Sequence, residues 1–323
     1  MPADRGEPGL RLGYACVNTL FPTPARTVRL ANATPERLHE VLTANLDTLE
    51  AILRWNDAHD IRVFRISSNT VPLASHPAVG FRWREEFNAR FAELGALMRG
   101  FGMRLSTHPG PYTVPASTDE AVAAAAVREL DYHAELMTAF GLDTSHKIVL
   151  HLGGGAGDRR RWLERFRRSF ERLAPAARAR LVLENDERWS LADVLAAARE
   201  LRVPIVFDGF HDEVHPSYPG LGVRDRVELA SGTWAEADGR QEVHFSTQAP
   251  GRRAGAHAAT LDSRRFGRFA RQVWDLPLDC VLEVKDKEQS VLRARGALER
   301  LRRRATRPTQ RRAGRSDPSR RTG

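Results

Sequence analysis

The 323-residue chain has little cysteine: Cys16 and Cys280 are its only two. Two thiols build no disulfide framework, and neither sits in a CxxC zinc pattern, so both read as small buried hydrophobes. No apolar run reaches the roughly 18 residues a membrane helix needs. The N-terminal MPADRGEPGLRLGYAC lacks the basic start and apolar core of a secretory signal. A cytoplasmic protein is therefore expected. There is no GxxxxGK[ST] loop, which argues against a nucleotide triphosphate site, and no GxSxG nucleophile elbow.

The net charge of +9 is unevenly spread. Residues 302–323 carry nine Arg and one Asp, a net of +8, which leaves +1 for the body. That tail has no apolar periodicity, so disorder is expected for 302–323, as for a flexible N-terminus at 1–10. Its arginines are either solvated or touch phosphates without sequence preference.

The body, residues 11–301, reads as one domain. Short β-branched runs are expected as strands at 12–17, 61–66, 103–107, 147–152, 180–184, 205–208, 242–246 and 280–284. Helical patterns fall between them at 35–56, 83–99, 118–140, 160–173, 190–201, 224–230, 263–273 and 288–302. Thr34 before Pro35 is an N-cap signal, and Ser190 is another. Eight strand–helix alternations favour an α/β fold of the closed TIM (β/α)8 barrel type over an open doubly wound sheet. The open sheet would want a glycine-rich turn after its first strand, where Asn18-Thr19-Leu20-Phe21-Pro22 stands instead.

Chemistry-bearing residues gather where these strands end. His108, His151, Glu184 and Asp208 end strands three to six, with His211 just after. Strand seven carries Glu242 and His244, His257 lies in the loop that follows, and Glu283 ends strand eight. His76 lies after strand two. In a barrel these positions converge on one mouth. Imidazoles and carboxylates suit divalent Mn, Zn or Fe, and this number suits two or three ions. Paired ions at about 3.5–4 Å lower the pKa of a bound water and stabilise a leaving oxygen in phosphoester hydrolysis. The other histidines, His39, His59, His133, His146 and His215, read as ordinary packing or surface residues, with His215 left open because it lies four residues after His211. Gly153-Gly154-Gly155 either cradles a phosphate or supplies positive φ.

The ordered motifs GYACVN, RISS with SHP, LSTHPGPYTV, HLGGG, LENDE, FDGFH, VHFSTQ, GAH and LEVKDKE resemble those of the UV damage endonucleases, over about residues 11–295. The resemblance implies a TIM barrel with up to three Mn²⁺ ions; Mg²⁺, Zn²⁺ and Co²⁺ share the ligand preference. It implies ATP-independent nicking of damaged double-stranded DNA 5′ to cyclobutane pyrimidine dimers and 6-4 photoproducts, by a monomer working at the nucleoid. Its metal ligands fall on His76, His108, His151, Glu184, Asp208, His211, His244, His257 and Glu283, with Glu184, Glu283 and His244 assigned as catalytic. Lesion or DNA contacts fall on Tyr14, Asn18, Pro111, Tyr112, Arg252, Arg253 and Lys285.

Two positions depart from the family. Pro111 replaces a glutamine of the pair that probes the lesion, while Tyr112 keeps the stacking ring. Glu242 replaces a metal-bridging lysine and is expected as a ligand on a shorter arm. Arg65, Arg82, Arg159 and Arg160 are further basic candidates for the phosphate backbone, the last two better read as solvated. The competing readings are an abasic-site endonuclease resembling endonuclease IV, a sugar isomerase-type metal barrel, and a damage-binding protein without activity.

Overall fold

A computed structural model of the chain describes residues 9–23, 25–154 and 158–305. Eight strands pair in parallel in sequence order, and the last closes on the first. They are β1 (Arg11–Ala15), β2 (Val63–Ile66), β3 (Arg104–Thr107), β4 (Lys147–His151), β5 (Leu181–Glu184), β6 (Ile205–Asp208), β7 (Gln241–Phe245) and β8 (Leu278–Leu282). The helices are α1 (Pro35–Ala58), α2 (Trp83–Glu86), α3 (Asn88–Gly100), α4 (Glu120–Ala139), α5 (Arg159–Arg172), α6 (Pro175–Arg180), α7 (Leu191–Leu201), α8 (Gly209–Val214), α9 (Val223–Ser231), α10 (Ser263–Val273) and α11 (Glu288–Ala305). This is the expected TIM barrel. None of the described helices is long and apolar enough to cross a membrane.

The strands form where apolar runs are buried on both faces, as in VFRI, LVLE and IVFD. Thr34 and Ser190 cap α1 and α7 as expected, Ser190 in a reciprocal box with Asp193. The single helix expected at 83–99 breaks at Phe87 into α2 and α3. Two close approaches demand glycine. A Cβ on Gly13 would lie 2.1 Å from the Val63 carbonyl oxygen, and one on Gly95 would lie 1.7 Å from that of Phe140.

Both expected domain boundaries shift. Leu10 is buried, and its amide donates to the Trp274 carbonyl at 3.0 Å, so it belongs to the barrel. Helix α11 continues through residue 305, so 302–305 are helical rather than tail. The rest of the expected flexible segments, 1–8 and 306–323, lies outside the described residues.

Inside the barrel the side chains stack in levels. At the N-terminal end, the Asp279 carboxylate accepts from Arg11 Nε at 2.7 Å and Arg240 Nε at 3.1 Å. Arg104 and Lys147 are buried beside it, the latter donating to Asp238 Oδ1 at 2.5 Å. Above this floor lie two small apolar clusters, Val149-Val182-Val206 and Ala15-Val63-Val281. The mouth residues stand above them.

His146 shows what burial does to a neutral base. Its Nδ1 accepts from the Leu105 amide at 3.1 Å. Burial, reinforced by the charge of Arg104, pushes its pKa down to about 3. Between the unfolded value of about 6.5 and that depressed value, the unfolded chain binds the extra proton, so stability falls as pH falls. The expected slope is up to about 1.4 kcal/mol per pH unit. Urea midpoints at pH 7 and pH 5 check this: the wild-type drop should exceed that of His146→Asn, and equal drops would assign the acid sensitivity elsewhere.

Candidate metal centre

Strand register builds the mouth. His151 lies beside Glu184 across β4 and β5, and Asp208 beside His244 across β6 and β7. Glu283, one residue past β8, extends that pairing by donating its amide to the Phe245 carbonyl at 2.9 Å. The Asn185 side chain clamps β5 to β6, accepting from the Asp208 amide and donating to its carbonyl, both at 2.9 Å. Asp208 also caps α8, its Oδ1 accepting from the His211 amide at 2.7 Å. The short helix exists because that carboxylate satisfies its first turn.

Glu184 is the centre of the arrangement and is fully buried. Its Oε2 lies 3.0 Å from His108 Nε2 and 3.1 Å from His151 Nε2. Its Oε1 lies 2.5 Å from His244 Nδ1. Two potential donor groups therefore share it: His108, His151 and Glu184, and Glu184, Asp208, His244 and Glu283. Within each group one donor atom per residue lies within 4.8 Å of the others. His211 and His257 flank them, their Nε2 atoms 3.5 Å apart, and Glu187 Oε2 lies 3.7 Å from His211 Nδ1.

Burial and close packing of charge shift the titration of these donors. Burial favours neutral carboxyls, but His244 and His151 outweigh it and hold Glu184 well below the usual range. Burial likewise opposes charge on Glu283, which Arg65 and His244 hold down. For Asp208, burial pushes the pKa up, with Glu184 and Glu283 adding to it against His211. Burial disfavours imidazolium, yet Glu184 overrides it and pushes His151 up to about 9 and His244 up to about 10. Of the imidazoles that face Glu184, His151 and His244 are thus pushed toward the protonated form, whereas burial pushes the pKa of His108 down despite its contact with Glu184. Asp208 Oδ2 is buried with no hydrogen-bond partner among the described residues. An orphaned carboxylate oxygen among clustered carboxylates and imidazoles is the donor chemistry that divalent cations fit.

Several expected residues stand elsewhere. Glu242 is outside both donor groups; its Oε1 accepts from Ser106 Oγ at 3.0 Å and lies 2.9 Å from His244 Nε2. That is the position of a carboxylate orienting an imidazole from behind, not the expected ligand position. His76 also lies outside the groups, with its Nδ1 accepting from the Ala78 amide at 3.2 Å. Tyr14 and Asn18 are buried: Asn18 Nδ2 donates to the Tyr14 hydroxyl at 2.9 Å, which donates to Asn56 Oδ1 at 2.6 Å. With their polar atoms turned inward, they cannot meet a base in this conformation.

Pro111, Arg252, Arg253 and Lys285 are exposed, and Tyr112 is 62% exposed with its hydroxyl donating to Glu129 Oε1 at 3.3 Å. Gln248 Nε2 pins the arginine loop through the Arg252 and Arg253 carbonyls, at 3.3 and 2.9 Å. Gly153 and Gly154 have φ of 64° and 60°, so the backbone itself requires them, and Gly155 lies outside the described residues. Cys280 is buried, but Cys16 is only partly so.

Arg65 differs from the exposed arginines of the mouth. It is buried, so it cannot track a phosphate backbone. Its Nη1 donates to Glu283, and its Nη2 lies 2.6 Å from His244 Nε2. The alternation of β2 carries the signal: Arg65 shares a face with Val63 of the inner cluster. Asn185 and Glu187 were legible only as polar residues in LENDE. Arg159 stacks on Trp189 at 3.7 Å and Arg160 pairs with Glu164, so neither is held for a ligand.

A family profile described as UV-endonuclease UvdE matches residues 10–308. A UV DNA damage endonuclease of Clostridium perfringens is 33% identical over 297 residues, covering 90% of this chain and 71% of that protein. A UV-damage endonuclease of Schizosaccharomyces pombe is 33% identical over 303 residues, covering 87% of this chain and 49% of that longer protein. The crystal structure of SacUVDE superposes with a TM-score of 0.84 at 35% identity, covering 91% of this chain and 99% of that one. The chain belongs to the UV-endonuclease UvdE family.

Proposed function

We propose that this chain nicks double-stranded DNA 5′ to cyclobutane pyrimidine dimers and 6-4 photoproducts by activating water with divalent cations, without ATP. The observation that carries this reading is Glu184, whose two oxygens face different sets of donors, as a carboxylate shared between two cations would. His108, His151, Glu184, Asp208, His244 and Glu283 would hold the ions, with His211 and His257 beside them. Mn²⁺ is the expected ion. Such ions, when bound, supply an acidified water and compensate charge on the reacting phosphate.

The side chains prepare that chemistry. Arg65 anchors Glu283, and its Nη2 and Glu242 Oε1 both lie against Nε2 of His244, the ring nitrogen that does not face Glu184. Exposed Arg252, Arg253 and Lys285 offer positive charge to the backbone phosphates. Tyr112 presents a ring that can stack on an opened base step, and a damaged step is cheaper to open.

The test is strand nicking of a UV-irradiated duplex, with Mn²⁺ and with EDTA, beside a matched abasic duplex. Mn²⁺-dependent cleavage 5′ to the photodimer is expected. Cleavage of the abasic duplex alone moves the assignment to an abasic-site endonuclease. Cations bound without cleavage of either would mark a damage-binding protein.

A further inference from the structure

Leu20 is 62% exposed in the loop that leaves the C-terminal end of β1, on the mouth side of the barrel. Solitary exposed leucines are ordinary on protein surfaces. This one differs in what is done to its neighbours. Asn18 is buried, and its Oδ1 accepts from the Leu20 amide at 3.0 Å. Its Nδ2 is tied through the Tyr14 hydroxyl to Asn56 on α1. Thr19 is held by Glu288, a buried carboxylate at the start of α11, whose Oε2 accepts from the Thr19 amide at 2.9 Å. The Thr19 hydroxyl donates to the same carboxylate. Phe21 packs against the main core, and its amide donates to the Asn18 carbonyl at 3.1 Å. Asn18 and Thr19 are thus tied to the first and last helices and Phe21 to the core, while the Leu20 side chain between Thr19 and Phe21 points to solvent.

We propose that Leu20 is an apolar wedge that enters the base stack of the bound duplex beside the mouth. The Asn56–Tyr14–Asn18 relay and Glu288 form its backing. The proposal rests on the reading that DNA binds at this mouth. Aliphatic wedges unstack base steps only when the backbone behind them does not yield, and this loop is fastened at three consecutive residues around the tip. It also gives the buried Tyr14 and Asn18 a task that needs no contact with the lesion: they are positioning residues for Leu20.

The experiment places 2-aminopurine beside a photodimer in a duplex and follows its fluorescence on binding, with nicking measured separately on fully paired and on mismatched, already unpaired photodimer duplexes. In Leu20→Ala the fluorescence rise should shrink, and kcat/KM on the paired duplex should fall about tenfold. That deficit should narrow on the mismatched duplex, because the step is already open. Leu20→Met should restore both signals. Leu292→Ala, which truncates an exposed leucine on the outer helix α11, should leave both unchanged. An undiminished fluorescence rise in Leu20→Ala, or the same deficit on both duplexes, overturns the wedge. The fluorescence arm needs no strand cleavage, so failure of the wild type to nick counts against the proposed function separately. Absence of a wild-type fluorescence change counts against the wedge.

Discussion

Replacing Glu184 by alanine is expected to lower kcat on a photodimer duplex by about a thousandfold or more, equivalent to ~4 kcal/mol of transition-state stabilisation. The reason is its shared position. Its two oxygens face both donor groups, so one truncation removes a potential ligand from each. KM should change little, because Glu184 is buried beneath the surface that meets the duplex. Metal analysis of the purified variant supplies the second readout: bound cation per chain should fall along with kcat. Wild-type turnover at wild-type metal content would remove Glu184 from the centre of the mechanism.

The second large effect concerns Arg65. Replacing it by methionine leaves Glu283, which pairs with its Nη1, and Glu242, 3.9 Å from its Nη2, without their fixed cation. Breaking a buried ion pair by removing one partner costs about 3–5 kcal/mol. The loss should appear in full in urea unfolding with EDTA. It should shrink when Mn²⁺ is added, because bound cations stabilise the folded state and supply part of the missing positive charge. Arg65→Lys should recover charge but not the two-pronged contact with Glu283 and His244. An equal loss with and without Mn²⁺ would assign Arg65 to packing alone.

The barrel was legible because its strands are buried on both sides. Runs such as IVFD leave no other element that hides every side chain, and β6 and α10 fall where periodicity puts them. The break at Phe87 and the short helices α6 and α8 were not legible, since no local periodicity can specify a helix of six residues. Strand ends located most of the donor set, because a barrel sends all of them to one place. What the sequence could not say was which atoms face the centre. Glu242 and His244 share a face of β7, and only the stagger between strands puts one behind the other. Tyr14 looks like a contact residue in a motif, but its hydroxyl is committed to Asn56 on α1.

The apolar level across the barrel interior has a consequence for how the molecule tolerates change. Val149, Val182 and Val206, with Ala15, Val63 and Val281, separate a floor rich in arginine and lysine from a mouth rich in carboxylates. No side chain in those clusters can pass a proton or a hydrogen bond from one end to the other. Damage to the floor and damage to the mouth should therefore add as independent terms when combined, except through Glu242, which pairs in register with Asp279, feels the charge of Arg104 and reaches His244. Closure of the barrel and cutting of the substrate become separable problems wherever a change leaves Glu242 undisturbed, so parts of the Asp279 end away from it can drift, or be re-engineered for heat resistance, without retuning the chemistry above.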